Sequence, residues 1–240
     1  MGGGGCEDTG MGRKLTGQQV SDAVGDLGWR FVLETLQTSV LVGSLVEAVA
    51  VSARVVEAAG ADADEHLHVD LRGDRVVLGV HGARDAGLGP REIDLARRIS
   101  TAVAEAGLRT DAVGRGVPGR SVHLLEIAID AVDIGRVRPF WKAVLDYVDA
   151  PGAAGPEDPI VDPLGQGPAV WFQQMDRPRP ERNRIHLDVS VPHDEAEKRI
   201  AAAVAAGGRV VSADSAPAFW VLADVEGNEA CVSTWQGRDD

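Results

Sequence analysis

Apolar positions in this chain change their period several times, and each change marks an element. Residues 18–26 carry the spacing of a short helix, and segments 29–33 and 35–40 read as strands around a tight reversal. Leu45, Val46, Val49, Ser52, Ala53 and Val56 then recur at helical intervals, with Gly60 as the stop. Val69, Leu71, Val76, Leu78 and Val80 alternate on two strands joined by a turn at 72–75. Pro90 suits the first position of another helix, whose inner face carries Ile93, Ala96, Ile99 and Val103. This order predicts an α+β domain with its helices on one face of an antiparallel four-stranded sheet.

The second half repeats itself. Residues 124–129 read as a strand, followed by a helix that turns Val137, Phe140, Trp141, Val144 and Leu145 inward. Residues 185–191 read as a strand, followed by a helix with Ala196, Ile200, Ala203 and Val204 inward and Gly207 and Gly208 as its stop. Glu126 precedes Phe140 by 14 positions, and His186 precedes Ile200 by 14. Each copy later carries Asp-x-x-Gly, as DPLG at 162–165 and DVEG at 224–227, before an apolar strand at 169–173 or 229–233. Paired βαβββ units are the expected architecture.

The glycine-rich passage 114–119 (GRGVPG) lies between the two patterns. The expected organisation is a disordered glycine-rich leader at 1–14, a first domain at 15–112, a linker at 113–120 and a second domain at 121–237.

Charge and cysteine usage narrow the partners. Acidic residues outnumber basic ones 37 to 24, for a net charge of −13, which speaks against a nucleic-acid surface. The longest apolar stretch, around 40–51, is broken by Gly43, Ser44 and Glu47, so no membrane span is expected. Only Cys6 and Cys231 carry thiols, which argues against a disulfide framework and for a cytoplasmic location. No signal peptide is expected from the opening residues.

The segments 65–72 (EHLHVDLR), 75–80 and 82–96 resemble pterin-4a-carbinolamine dehydratases, and the resemblance extends over roughly 15–108. That resemblance implies a pterin as substrate or ligand, with three histidines moving protons while the 4a-hydroxyl leaves as water. The family's histidine positions fall on Glu65, His66 and Ala83, and its proline position on Leu67. The dehydratase site is thus degenerate. A displaced trio of His66, His68 and His81 is a candidate catalytic set, because alternate strand residues share a face. Glu65 is a further candidate base. The alternative is that these histidines merely face solvent or pack.

Three segments resemble the vicinal oxygen chelate superfamily in its glyoxalase-like branch, over roughly 121–236: PFWKAVL at 139–145, RNRIHLD at 182–188 and LADVEGNE at 222–229. That resemblance implies a divalent metal held by the opening and closing strands of each unit. The opening positions fall on Glu126 and His186, the same pair that the repeat spacing singles out. The closing positions fall near 171–173 and on Cys231, where cysteine stands in place of the usual glutamate. Across the internal twofold, Glu126 and His186 are expected to face each other, as a shared cation site or as a structural ion pair. Trp171, Gln173 and Arg184 are candidate substrate-binding residues around an apolar cup with a polar end.

Three functions are therefore open: a dehydratase-like lyase of weak or lost activity fused to a small-molecule domain, a non-catalytic binding or assembly protein, or metal-dependent lyase or isomerase chemistry confined to the C-terminal half. Both resemblances, and the exposed sheet edges, imply a homodimer.

Overall fold

The structure is a computed structural model, and it describes residues 14–82, 87–112, 122, 124–178 and 185–237. The chain forms two compact units, Met1–Leu124 and Leu125–Asp240. The linker expected at 113–120 lies outside the described residues, as do Ala83, Arg184 and most of the leader.

In the first unit, helix α1 (Gly17–Val24) starts at Thr16, whose side chain caps the Gln19 amide while the Gln19 side chain caps Thr16 in return. Strands β1 (Arg30–Val32) and β2 (Thr35–Leu41) are joined by Leu33 and Glu34, both in the left-handed region. Two consecutive positive φ values give the turn whose twist matches paired strands. Leu33, expected in the strand, is therefore a turn residue. Helix α2 (Leu45–Ala59) is capped by Ser44 and stops at Gly60. After a 3-10 turn at Gly60–Asp62 come helix α3 (Ala63–His66), strands β3 (Leu67–Leu71) and β4 (Arg75–His81), and helix α4 (Pro90–Glu105).

The sheet is antiparallel in the order β1-β2-β4-β3. Val20 and Val24 of α1, Val51 and Val55 of α2, and Ile93, Ala96, Ile99 and Val103 of α4 close over Leu36, Val40, Val76, Leu78 and Val80 of the sheet. The two-residue alternation of the strands and the i, i+3, i+4 spacing of the helices produce this one-sided core. Asp62 ties α4 to the end of α2: its carboxylate accepts hydrogen bonds from Arg91 and Arg98, and Arg98 also donates to the carbonyls of Ala58 and Ala59.

The Arg91 guanidinium, helped by Arg98, holds the Asp62 carboxyl below the usual carboxylate range. A depressed folded-state pKa gives stability that is full above the unfolded value and is lost as pH falls through the folded one. The gap in unfolding free energy between the wild type and Asp62→Asn is expected to be about 1 kcal/mol at pH 7 and to close below about pH 4. Urea unfolding at pH 7 and at pH 3 measures it, and a gap of equal size at both values contradicts the assignment.

The second unit contains β5 (Glu126–Ala131), α5 (Ile134–Leu145), β6 (Val148–Asp149), β7 (Ile160–Val161) and β8 (Ala169–Gln174). It continues with β9 (Leu187–Ser190), α6 (Ala196–Ala205), β10 (Arg209–Ser212), β11 (Phe219–Ala223) and β12 (Glu229–Ser233). The two sheets run β5-β8-β7-β6 and β9-β12-β11-β10, and in each the opening strand pairs in parallel with the closing one. Paired βαβββ units are what the internal repeat predicts.

The Asp-x-x-Gly segments make the same turn twice. Asp162 accepts from the amides of Leu164 and Gln166, and Asp224 from those of Glu226 and Asn228, in each case two and four residues on. One core joins both repeats: Ile129, Val170, Phe172, Phe140 and Trp141 from the first, Ala203, Leu222, Ala230 and Val232 from the second. After α6 the chain turns through Gly207, which has a positive φ, and Gly208 lies against the Phe140 ring, where a β-carbon would sit 2.2 Å from Cδ2.

Candidate functional site

In the first unit the structure brings His66 beside Glu65 and His81, with His68 on the outer face of the sheet. His66 is buried at 1% exposure and ends α3, instead of sharing a strand with His68. The strand begins only at Leu67, so the two-residue alternation that would align the two rings does not reach His66. His66 Nδ1 lies 2.9 Å from the His81 carbonyl oxygen and 3.2 Å from Glu92 Oε1. Both partners are acceptors, so Nδ1 carries the proton. Glu92 is itself buried and accepts from the Gly89 amide at 2.7 Å, a capping interaction that fixes the start of α4. His66 Nε2 is buried without a hydrogen-bond partner, and Glu65 Oε2 stands 3.9 Å from it, beyond hydrogen-bond reach. The His81 ring is exposed and stacks on His66 with centroids 6.3 Å apart. His68 is exposed opposite Gly79, on the sheet face away from the helices. His66 and His81 are thus neighbours, and Glu92 is the residue that sequence reasoning passed over. Its signal was its position, the third residue of a helix opened by Gly89 and Pro90.

In the second unit, alternation sorts the strand residues. Val170 and Phe172 enter the core, so Trp171 and Gln173 lie on the other face of β8, beside Ala128 and Asp130 of β5. Glu126 opens β5 on that same face, paired with Ala169, and is exposed. In the second repeat, Ala230 and Val232 enter the core, which leaves Cys231 and Ser233 on the opposite face of β12, aligned with Asp188 and Ser190 of β9. His186 precedes β9 by one residue, and two-residue spacing brings it to the side of Asp188.

His186 Nδ1 lies 3.2 Å from Asp188 Oδ1 and 3.6 Å from Cys231 Sγ. The candidate ligand atoms of the three residues all fall within 4.8 Å of one another. They open on a cavity of about 650 Å³ lined also by Ser215, Ala218, Phe219, Ser233 and Gly237. The residues described in this cluster all come from the second repeat; Glu126, Trp171 and Gln173 line neither the cluster nor the cavity. Nitrogen, oxygen and sulfur donors at this spacing fit a tetrahedral divalent ion with a fourth position open, since such ions bind their ligands at about 2.0–2.3 Å.

Residues 126–233 match the family model described as a glyoxalase-like domain. The C-terminal unit is a glyoxalase-like domain in this sense, and its two sheets of βαβββ connectivity are that fold. Among solved structures, a glyoxalase/bleomycin resistance protein/dioxygenase family enzyme from Burkholderia phytofirmans is similar at 16% identity and a TM-score of 0.38, covering 45% of this chain and 95% of that one. A fosfomycin resistance protein from Mesorhizobium loti is similar at 13% identity and a TM-score of 0.40, covering 51% and 97%. A transcriptional coactivator/pterin dehydratase from Brucella melitensis is similar at 22% identity and a TM-score of 0.34, covering 38% and 98%. No curated protein matches the chain. No helix among the described residues is long and apolar enough to cross a membrane.

Proposed function

We propose that the C-terminal unit is a small-molecule site of the glyoxalase-like class, in which His186, Asp188 and Cys231 hold a divalent metal ion for lyase or isomerase chemistry. The convergence of three different ligand atoms at the wall of a cavity of about 650 Å³ carries this reading. A bound divalent ion supplies Lewis acidity to a substrate oxygen. The chain supplies the rest. Phe219 and Ala218 give the cavity an apolar wall, while the Ser215 and Ser233 hydroxyls can orient polar groups of a ligand. The alternative of a cysteine nucleophile activated by a histidine requires the two imidazole nitrogens to serve separate partners. Here Cys231 and Asp188 both approach Nδ1, which is an arrangement for chelation.

Chelator-stripped protein is expected to take up one divalent transition ion, measured by titration calorimetry. His186→Ala is expected to weaken uptake on the order of 100-fold while the melting temperature of the stripped protein is unchanged. Equal affinity in the variant overturns the site.

A second reading concerns the first unit, and one observation favours it. A buried nitrogen without a partner costs roughly 1–3 kcal/mol, and His66 Nε2 is such an atom. Retaining an imidazole there, next to the His81 ring, suits Nε2 to accept a proton from a pterin carbinolamine, with His68 and Glu65 outside the reacting group.

We further propose a homodimer. Strands β1 and β3 are the edges of the first sheet, and an edge carries backbone groups that a second copy can pair with. Sedimentation at micromolar concentration is expected to give twice the chain mass.

A further inference from the structure

We infer that the cluster at His186, Asp188 and Cys231 is selective for thiophilic ions of the zinc and cobalt type over magnesium and manganese, and that Cys231 sets this selectivity. The inference rests on the metal reading of the C-terminal unit and adds to it which ion is held, by which part of the fold.

Three features lead there. The first is the donor set. Sulfur is a soft ligand that favours zinc-class ions, whereas magnesium and manganese prefer all-oxygen surroundings with several waters. The cluster offers one sulfur, one nitrogen and a single carboxylate. Beside Cys231 on this face, Ser233 of β12 and Ser190 of β9 offer hydroxyls, and Ser233 Oγ lies 3.0 Å from Ser190 Oγ, so the two serines bond to each other. Neutral hydroxyls do not replace the charged oxygens that a hard ion requires.

The second feature is position. Cys231 is the third residue of β12 and is held in the middle of the sheet, between Asp188 of β9 and Val221 of β11. At 7% exposure its sulfur is fixed by backbone pairing on both sides. His186 and Asp188 are the exposed partners that a bound ion draws in. The buried, pre-placed ligand therefore dictates which ions the site accepts.

The third feature is that one repeat suffices. All three ligands belong to the second βαβββ unit, and their approach through His186 Nδ1 needs no group from β5 or β8. Glu126, the carboxylate that would harden the site, opens a strand of the other sheet and lies outside the cluster.

The test uses the full chain stripped with a chelator and titrated separately with zinc, cobalt, manganese and magnesium ions. Zinc and cobalt are expected to bind at least 100-fold more tightly than manganese, with no measurable magnesium binding. The cobalt form is expected to show a thiolate-to-cobalt charge-transfer band in the near ultraviolet. Cys231→Ser keeps the shape of the side chain; it is expected to abolish that band and to cut zinc affinity on the order of 100-fold. Cys231→Glu is expected to raise manganese affinity relative to zinc. Manganese binding as tight as zinc, or a cobalt form without the thiolate band, overturns the inference while the metal reading stands. Failure of all four ions to bind overturns both. The cobalt spectrum is recorded on the wild type, so a variant that does not fold leaves the decision intact.

Discussion

Replacing Asp224 by alanine is expected to destabilise the C-terminal unit by about 3–5 kcal/mol, more than any single change at its candidate site. The Asp224 side chain is fully buried and works as a four-way acceptor. Oδ1 takes the amides of Glu226 and Asn228, each at 2.9 Å. Oδ2 takes the Asn228 side-chain amide at 2.8 Å and the Trp141 indole N–H at 3.1 Å. The last bond joins the turn of the second repeat to α5 of the first. The same turn is docked a second time, because the Glu226 carboxylate accepts the amides of Val132 and Asp133 at 2.8 and 2.6 Å. Alanine leaves the buried Trp141 indole N–H and three part-buried donors of the turn without their acceptor, and a buried loss costs roughly 1–3 kcal/mol.

In a unit of this size the change corresponds to a fall in melting temperature of about 12–20 °C. Asp162→Ala is the internal control. It makes the equivalent turn in the first repeat, but its partners Leu164, Gln166 and Gly167 are exposed bonds that water replaces. Its cost is expected to be about 1 kcal/mol. Calorimetric melting of both variants checks the contrast, and equal falls would refute the claim that Asp224 clamps the repeats together.

That contrast shows what sequence periodicity reveals and what it hides. Both Asp-x-x-Gly segments stand out in the sequence, because an aspartate that caps a turn leaves a local signature. The difference between them is the approach of Trp141, which is 83 residues away and leaves no local trace. The same distinction runs through the candidate sites. His186 is legible because equivalent positions of a repeat stand out, and Cys231 because it falls on a closing strand. Asp188 joins them through a register that only the parallel pairing of β9 with β12 fixes. The expected partner Glu126 rests on the resembled family's opening-strand position and on the internal twofold, and a twofold relates backbones without bringing side chains into one cluster.

In the first unit, alternation aligned His66 with His68, but four residues of helix at Ala63–His66 break the alternation just before the strand begins. A single helical turn is too short to leave a periodic pattern. The segments that were long and regular, α2, α4 and the strand pair β3 and β4, were readable within a few residues of their ends.

Offered a pterin 4a-carbinolamine, the protein is expected to turn over at least 100-fold more slowly than an enzyme with three converging imidazoles. General acid–base groups contribute about 100- to 10,000-fold each, and the stacked pair of His66 and His81 supplies two rings, not three. What turnover remains is expected to depend on His66 Nε2, and two substitutions separate that atom from its neighbour. Asparagine places its amide nitrogen where Nδ1 lies, so His66→Asn keeps the bond to the His81 carbonyl and loses the orphaned nitrogen. Glutamine reaches the Nε2 position, so His66→Gln loses the anchor and keeps a polar atom there. If Nε2 moves the proton, His66→Asn removes the remaining turnover with little change in melting temperature, because neither amide exchanges protons near neutrality. If His66 serves only to tie α3 to β4 and to Glu92, His66→Asn retains turnover and His66→Gln lowers the melting temperature instead. His68→Ala is expected to leave the rate unchanged in either case. A rate drop with His68→Ala equal to that with His66→Asn would restore the three-histidine site and end this reading.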